Sequence, residues 1–392
     1  MTDARRLHGA DLAAALQDAR AVTRARVDDL SDEQWAMPLQ QGVNPVAWEL
    51  AHLAWFGEFW ILRGPHQRVD GFVHAERPAR IAGPDAHFDS ARLAHDQRWT
   101  TPMPSRAQVA DMLDAQLAAC LQALPAGDDD AALYFHRLAL FHEDMHGEAF
   151  AWMRSALGYS APAGVALPRV QPAQPLQVAG SEVRIGWPPE RRGFAFDNEG
   201  AGTSALLQDY EIDDAPVSAG QFLRFVEAGG YEQPDYWPGE AGRWRAASGA
   251  PHPARWRRAG TGWELRWFDR WLPLDSEQPM IHVNAWEAEA YCRWAGRRLP
   301  RAAEWEHAAT SKPALHWGRG VWEWTADAFL PYPGFVPGPY HDYSVPWFGD
   351  HRELRGGAFA AHPRMHDVRY RNFFQPQRSD VFVGFRTAAL QA

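Results

Sequence analysis

Two histidines four residues apart, His142 and His146, are the side chains in this sequence that most clearly could hold a metal ion. They lie in the segment LALFHEDMHGEAF, where apolar residues recur at steps of three and four from Leu138 to Met153. That period predicts one long helix over residues 131–157. Because positions i and i+4 of a helix share a face, both imidazoles can point toward the same ion.

A third histidine, His52, would complete such a site. It lies far upstream in NPVAWELAHLAWFGEFW, on another predicted helix. A single buried histidine is usually a core residue, but burying several without partners is costly, which favours a metal between them. Three neutral imidazole nitrogens would hold one side of an ion and leave the other side open for chemistry. Such a site suits non-haem Fe(II) as well as Zn, so ligand type alone leaves the metal open.

The same segment contains a second motif, because His142-Glu143-Asp144-Met145-His146 matches the H-E-x-x-H pattern of zinc peptidases. In that interpretation Glu143 would be the general base and zinc would activate a water molecule. The sequence offers no matching third ligand downstream. Glu148 lies two residues beyond the pair, which turns it away from their face.

Four amphipathic segments in the first half predict a helical bundle. They cover residues 9–30, 44–64, 105–121 and 131–157. Asn44 and Pro45 predict a side-chain cap followed by proline at the first helical position, and Ser105 with Gln108 predicts a capping box. One long connection, residues 65–104, joins the second and third helices. Bundles of this kind commonly build metal sites from facing helices.

The second half has a different residue pattern, with short apolar runs and frequent Gly, Pro and Trp. This pattern predicts a loop-rich α+β domain with short strands and scattered aromatic packing. Residues 231–270 show no sustained period, whereas residues 284–295 predict one clear helix. The Pro-, Ala- and Gly-rich tract between the halves reads as a linker. The predicted domains are residues 1–160, a linker at residues 161–175, and residues 176–392.

Composition limits the classes of protein that fit. The chain of 392 residues has a net charge of −10 and dispersed basic residues, which argues against nucleic acid as a partner. No apolar run is long enough to cross a bilayer, and the N-terminus lacks the apolar core of a secretory signal. With only Cys120 and Cys292 present, a disulfide scaffold is not expected. These features predict a cytoplasmic protein that acts on small molecules.

Five motifs in the second half carry a family resemblance. They are, in order, PVSAGQFLRFVEAGGY, HVNAWEAEAYCRWAGRRLPRAAEWEHAA, VWEWTADAF, ELRGGAFA and VGFRTA. Together they resemble the formylglycine-generating-enzyme-like domain, a variant of the C-type lectin fold. The formylglycine generators themselves need a pair of copper-binding cysteines late in the domain. Because this chain has no cysteine after Cys292, that activity is not expected.

A bundle with the three-histidine pattern ahead of such a domain resembles the ergothioneine-type sulfoxide synthases over nearly the whole chain. The resemblance implies a DinB-like bundle with Fe(II) bound by His52, His142 and His146. Enzymes of this family use O2 to join a sulfur donor to C2 of the imidazole of hercynine, which is Nα-trimethylhistidine.

The resemblance also implies roles for residues near the C-terminus. The segment RYRNFFQPQRSDVFVGFR matches the family's active-site strand and loop. By that match Asn372 and Phe373 line the hercynine pocket, and Arg378 meets the negative charge of the donor. Tyr343, in HDYSVPWFG, matches the catalytic tyrosine that supplies a proton near the iron.

Three departures from the family pattern bear on the donor. Members that take γ-glutamylcysteine have Asp at the position of Phe374 and a substrate-binding Gln at the position of Met145. The loop at residues 62–90 also differs from the loop of the sulfur enzymes. These features resemble the selenoneine synthase branch, which joins a selenosugar to hercynine. The sequence therefore predicts Fe(II)- and O2-dependent C–Se bond formation with Phe374 and Met145 at the substrate site. A thiol donor, γ-glutamylcysteine or cysteine, is the alternative, and a zinc peptidase is the more distant one.

Overall fold

The computed structural model describes residues 3–200, 202–318 and 320–391. The chain forms two compact units. One contains Met1–Arg154 and Arg192–Phe194, and the other contains Ser155–Arg191 and Ala195–Ala392. The residues predicted as a linker therefore belong to the second unit. Among the described residues, no helix combines the length and the apolar character that a bilayer span requires.

The first unit is a helical bundle with one small hairpin. Its helices are α1 (Gly9–Ala25), α2 (Asp32–Trp35), α3 (Val46–Gly57), α4 (Asp85–Phe88), α5 (Arg106–Gln122) and α6 (Asp130–Leu157). Strands β1 (His66–Val69) and β2 (Phe72–Ala75) pair antiparallel. Leu12 and Leu16 of α1 pack in one buried cluster with Leu133 and Leu140 of α6. The bundle that the apolar periods predict is confirmed.

The sequence predicted most helix boundaries in this unit, and it failed at two. The capping box of Ser105 and Gln108 is present at the start of α5. α1 ends at Ala25 and not at residue 30; Leu30 is still buried, so the apolar pattern continues after the helix has ended. At α3, Pro45 occupies the N-cap position, and Asn44 donates its amide to Glu49 Oε2 at 2.9 Å.

A buried carboxylate fixes the long connection that follows α3. The helix continues as a π-helical turn over Glu58–Leu62. The Glu58 side chain accepts hydrogen bonds from the backbone N–H groups of Arg80, Ile81 and Ala82 at 2.6, 3.0 and 2.8 Å. Three such bonds satisfy a buried carboxylate, so this loop is held against the helix that carries His52.

The second unit contains four helices and thirteen short strands among its described residues. The helices are α7 (Ala219–Glu227), α8 (Glu240–Ser248), α9 (Ala285–Trp294) and α10 (Ala302–Ser311). The strands are β3 (Pro175–Val178), β4 (Glu182–Ile185), β5 (Thr203–Leu206), β6 (Tyr210–Asp213), β7 (Trp256–Ala259), β8 (Gly262–Trp267), β9 (Arg270–Pro273), β10 (Arg297–Arg298), β11 (Trp322–Ala328), β12 (Arg352–Gly356), β13 (Asn372–Phe374), β14 (Val383–Gly384) and β15 (Ala388–Ala389).

Four sheets organise these strands. Two have four strands, in the orders β10-β15-β6-β3 and β13-β12-β11-β14; β7, β8 and β9 form a three-stranded sheet, and β4 pairs with β5. Within the second four-stranded sheet, β11 and β14 are parallel and the other pairs are antiparallel. This mixed, loop-rich architecture confirms the predicted α+β class.

A buried ion-pair network lies under the sheet that carries the C-terminal segment. Arg371 is 1% exposed and donates to Glu353 at 2.6 Å and to the carbonyl oxygens of Asn198 and Leu330 at 2.6 and 2.7 Å. Glu353 also accepts from Arg355 at 2.8 Å. Because buried charges are tolerated only when they are paired, this network fixes the backbone that enters β13.

Residues 231–270 differ from the prediction, because they contain α8, β7 and β8. Two tight turns organise the sheet, at Gly260 and at Phe268, where the backbone has positive φ. These strands are only four to six residues long and have aromatic side chains on both faces, so apolar and polar residues do not alternate clearly along them. Without that alternation the sequence does not predict strands. The predicted helix at residues 284–295 is confirmed, with Asn284 as its N-cap.

Candidate active site

Three histidines of the first unit converge on one point. His52 comes from α3, and His142 and His146 come from α6. Their ligand atoms all lie within 4.8 Å of one another. Nε2 of His142 lies 3.3 Å from Nε2 of His52 and 3.3 Å from Nε2 of His146. The structure therefore brings together the three residues that the sequence proposed as ligands.

In two of these rings the nitrogen that faces away from the cluster, Nδ1, is hydrogen-bonded to an oxygen acceptor. His52 donates from Nδ1 to the carbonyl oxygen of Phe88 at 2.7 Å, and His146 donates from Nδ1 to Glu49 Oε1 at 2.8 Å. A carbonyl oxygen only accepts, so the proton of the neutral His52 ring lies on Nδ1 and its Nε2 keeps the lone pair. This arrangement orients metal-binding imidazoles in many proteins.

Burial keeps two of the rings neutral. His52 and His142 are both 3% exposed, and burial followed by the neighbouring histidines lowers the pKa of each well below its usual range. Aromatic rings close the site, since Phe56 stacks on His142 with centroids 3.5 Å apart and Trp48 stacks on His52 at 5.0 Å. A neutral imidazole, which binds through a nitrogen lone pair, is the form that a divalent metal requires.

The donor set fits a divalent transition metal. Three imidazole nitrogens on one side of an ion match the chemistry of non-haem Fe(II) and of Zn. Among the described residues, this is the one group of at least three His, Cys, Asp or Glu ligands whose donor atoms lie this close together. His146 is the half-buried member, so the site opens on its side.

Glu143, the residue that a zinc peptidase would use as base, is engaged elsewhere. Its Oε1 accepts from Arg20 Nε at 2.6 Å and its Oε2 accepts from Arg20 Nη2 at 3.2 Å. Arg20 also donates to the side chain of Gln116 at 2.7 Å. Both residues of the ion pair are buried. A carboxylate held on both oxygens by a buried arginine is unsuited to remove a proton from water, which weighs against the peptidase interpretation.

The predicted tyrosine lies in an aromatic cluster of the second unit. Tyr343 is 9% exposed, and its hydroxyl lies 3.0 Å from the hydroxyl of Tyr370. Its ring stacks on Phe196 at 4.2 Å and meets Phe373 edge-on at 5.7 Å. Phe373 in turn stacks on Phe329 at 4.2 Å. The structure thus places the predicted catalytic tyrosine beside Phe373, one of the predicted substrate-binding residues.

The remaining predicted residues lie on or beside β13 and on α6. Asn372 accepts a hydrogen bond at Oδ1 from the backbone N–H of Phe373 at 2.8 Å. Arg378 is paired with Asp380 through two bonds of 2.6 and 2.7 Å, and its guanidinium lies 5.5 Å from the ring of Phe374. Met145 is half-buried on α6, next to His146.

Sequence reasoning missed the outer partners of the site. Glu49 left a signal, because it is an acidic residue inside the run VAWELAHLAWFG, whose residues are all buried. Such a carboxylate needs a partner. Tyr370 and Asp380 left no comparable signal, because their contacts depend on how β13 and its loop fold.

Comparison with known proteins agrees with this two-part architecture. Residues 15–153 match the DinB superfamily, and residues 167–320 and 316–390 match the sulfatase-modifying factor enzyme 1-like domain. The chain is 29% identical to the hercynine oxygenase of Mycolicibacterium thermoresistibile, over 97% of this chain and 95% of that protein. It is 29% identical to the hercynine oxygenase of Mycobacterium tuberculosis, over 96% of this chain and 98% of that protein.

A eukaryotic relative matches part of the chain. The ergothioneine biosynthesis protein 1 of Schizosaccharomyces pombe is 24% identical over 49% of this chain and 27% of that protein. The chain belongs to the family of the sulfatase-modifying factor enzyme 1-like domain, and a domain that matches the DinB superfamily precedes that domain.

Proposed function

We propose that this protein is a non-haem Fe(II), O2-dependent enzyme that joins the selenium of a selenosugar to C2 of the imidazole of hercynine. An ergothioneine-type reaction with a thiol donor, γ-glutamylcysteine or cysteine, is the alternative within the same family. The two hercynine oxygenases that match nearly the whole chain support hercynine as the acceptor.

The observation that carries the proposal is the cluster of His52, His142 and His146. Nε2 of His142 lies 3.3 Å from Nε2 of each of the other two histidines. The Nδ1 atoms of His52 and His146 are hydrogen-bonded to the carbonyl oxygen of Phe88 and to Glu49. His52, His142 and His146 would hold Fe(II), which would supply the oxidising chemistry with O2. Holding both reactants in place turns a bimolecular coupling into a local one.

The coupling balances with one molecule of O2. Hercynine loses hydrogen from C2, and the selenol loses hydrogen from selenium. A C–Se bond and an Se–O bond form, and the second oxygen atom leaves in water together with the two hydrogens. This stoichiometry is that of a sulfoxide synthase with selenium in place of sulfur.

Tyr343 is the proposed proton donor. Its phenol is buried and lies 3.0 Å from the hydroxyl of Tyr370, so the position of the proton-bearing oxygen is fixed. A positioned acid of this kind delivers a proton without an encounter with bulk water.

Aromatic residues suit the fixed positive charge of hercynine. We assign the contact with its trimethylammonium group to Phe373, because an aromatic face attracts a cation that cannot donate hydrogen bonds. Phe373 is held by Phe329 and Tyr343, which fixes its ring. Asn372, next to it on β13, is assigned to hercynine as well, and Met145 on α6 is a further proposed substrate-binding residue.

The preference for a sugar donor rests on Phe374 and Arg378. Phe374 offers no charge to the amino group of an amino-acid donor. Arg378 donates two hydrogen bonds to the Asp380 carboxylate, which balances its charge and weakens its attraction for a donor carboxylate. Together these residues favour a donor that carries no charge apart from its selenolate. The predicted cytoplasmic location and the predicted absence of nucleic-acid and membrane partners stay predictions.

A competition assay tests the proposal. Protein loaded anaerobically with Fe(II) receives hercynine, a selenosugar, its thiosugar analogue, γ-glutamylcysteine and cysteine, then O2, and the products are read by mass spectrometry. A dominant hercynyl–selenosugar product is expected from wild type and is absent with His142→Ala. A dominant sulfur product would overturn the selenium assignment, and no coupled product from any donor would overturn the whole proposal.

A second variant tests the residue on which the donor assignment rests. Phe374→Asp restores the carboxylate of the γ-glutamylcysteine enzymes, and Phe374→Leu is its apolar control. We expect the ratio of kcat/KM for the selenosugar to kcat/KM for γ-glutamylcysteine to fall in the Asp variant and to stay close to wild type in the Leu variant. Equal ratios in the three proteins would show that Phe374 does not select the donor.

A further inference from the structure

We propose that a cleft in the second unit binds the carbohydrate part of the donor, an inference that rests on the proposed function and assigns its sugar subsite. The cleft has a volume of about 910 Å³. It lies among α8, the start of α9, the loop that precedes β12 and the loop that follows β13. Its lining combines indole rings, side-chain amides and paired charges, and each component points to a neutral polyol.

Two indole rings form the aromatic part of the cleft. Trp244 and Trp286 both line it, are half-buried, and lie 5.8 Å apart between ring centroids. Trp244 also stacks on the buried Trp237 at 5.9 Å, which ties it to the core. Half-buried indoles that are fixed on one side offer a rigid apolar face on the other, which suits the C–H face of a sugar ring.

The charges along the cleft are balanced in pairs. Arg243 lies 3.5 Å from Glu240, and His351 lies 2.7 Å from Asp350. Arg352 pairs with Glu289. Because the lining holds two carboxylates, of Glu240 and Asp350, and two guanidinium groups, of Arg243 and Arg352, the cleft carries no large surplus of either sign. A neutral ligand with many hydroxyls fits such a lining better than an amino acid or a phosphate does.

Amide side chains supply hydrogen bonds that suit hydroxyl groups. Gln375 and Gln377 line the cleft, and Nε2 of Gln377 donates to Oε1 of Gln375 at 3.1 Å. An amide both donates and accepts, as a hydroxyl does, so the two pair well. Gln375 directly follows Phe374, the residue assigned above to donor choice.

The cleft is also connected to the tyrosine cluster. His351, which lines the cleft, lies 5.8 Å from the ring of Phe373, and Phe373 lies 5.7 Å from the ring of Tyr343. One aromatic side chain therefore separates the wall of the cleft from the ring of the proposed proton donor. A sugar in the cleft would lie beside the reacting groups of this unit.

Isothermal titration of the metal-loaded protein under nitrogen tests the assignment, with 1-thioglucose as the probe. Trp244→Ala removes part of the aromatic face, and we expect the Kd to rise about tenfold. Gln377→Ala changes an exposed side chain and should raise it about fivefold. Trp271→Ala, on β9 and outside the cleft lining, is the matched control and should leave the Kd unchanged.

Steady-state turnover separates this inference from the proposed function. With the selenosugar, KM should rise in Trp244→Ala and in Gln377→Ala by the same factors, while kcat stays within about twofold of wild type. Selenosugar turnover with unchanged KM in both variants would overturn the cleft assignment and leave the proposed function standing. Weakened thioglucose binding in both variants without any selenosugar turnover by wild type would support the cleft and overturn the proposed function. No thioglucose binding by wild type would overturn the cleft assignment.

Discussion

The histidine cluster of the first unit and the tyrosine pair of the second unit are positioned by different means. His142 and His146 are set by one helix, since four residues of chain place both rings on one face. Tyr343 and Tyr370 are 27 residues apart; Tyr343 ends a short 3-10 helix (His341–Tyr343), and Tyr370 lies in irregular backbone. Their contact depends on the packing of the whole unit. The helical site is therefore specified locally, and the aromatic site is specified by long-range contacts.

The difference predicts where each site is vulnerable. The metal site should fail when a ligand or its hydrogen-bond partner is removed, with the bundle still folded. The aromatic site should fail when the buried charges that fix its backbone are removed. Substitutions in the two units should accordingly change different measured quantities.

His142→Ala should have the largest effect, because this residue lies between the other two ligands. We expect the variant to retain less than about a hundredth of the metal affinity of wild type and to lose turnover. Metal content after anaerobic loading and dialysis measures this.

His136→Gln is the matched control on the same helix, since His136 bonds the carbonyl oxygen of Cys120 at 3.0 Å and lies outside the cluster. Its metal content should equal that of wild type. An alanine variant of His142 that keeps a full equivalent of metal would contradict the proposed ligand set.

Arg371→Ala should destabilise the second unit by about 3–5 kcal/mol, because it removes a buried partner of Glu353 and leaves two carbonyl oxygens without their donor. Denaturant unfolding followed by tryptophan fluorescence measures the change. Arg258→Ala, which removes an exposed ion pair with Glu227, should change stability by less than about 1 kcal/mol.

If Arg371→Ala lowers the stability of the second unit while the first unit keeps its metal affinity, the two sites are positioned independently. A stability equal to wild type would show that the buried network does not hold β13.

Two buried groups, Glu287 in the second unit and His136 in the first, should make opposite contributions to the pH dependence of stability. Burial raises the pKa of Glu287 in the second unit from 4.5 to about 7. Between these values the folded protein binds more protons than the unfolded chain, so stability falls as pH rises, by about 3 kcal/mol in all. Burial lowers the pKa of His136 in the first unit. Below about pH 6.5 the unfolded chain therefore binds a proton that the folded protein does not, so the stability of the first unit falls as pH decreases.

Hydrogen exchange of amides in each unit, measured from pH 5 to pH 7.5, separates the two responses. Glu287→Gln should flatten the dependence in the second unit and leave the first unit unchanged. An unchanged slope in the second unit would show that Glu287 does not titrate in this range.

Glu49→Gln should have the smallest effect. It keeps an oxygen acceptor for His146 Nδ1 but removes the negative charge, so we expect metal affinity to fall by about 10–100-fold with little loss of folding. Competition with a chelator of known affinity measures the change. Affinity equal to that of wild type would show that the carboxylate orients the ring without strengthening the ligand.

The sequence by itself determined the helical part of this protein. The 3.6-residue period places His142 and His146 together on α6, and the capping box at Ser105 sets the start of α5. Each of these features depends only on residues within about one turn of the same helix. The amino-acid sequence is therefore enough to predict them. The same local character let the motifs of the second half indicate its α+β class.

Only the tertiary structure decided which side chains complete the sites. Glu49 on α3 reaches His146 on α6, and Tyr370 meets Tyr343 although 27 residues of chain separate them. It also decided that Glu143 pairs with Arg20, 123 residues away, although the local motif assigns it to catalysis. Such contacts depend on how separate elements pack, and no spacing along the chain encodes that packing directly.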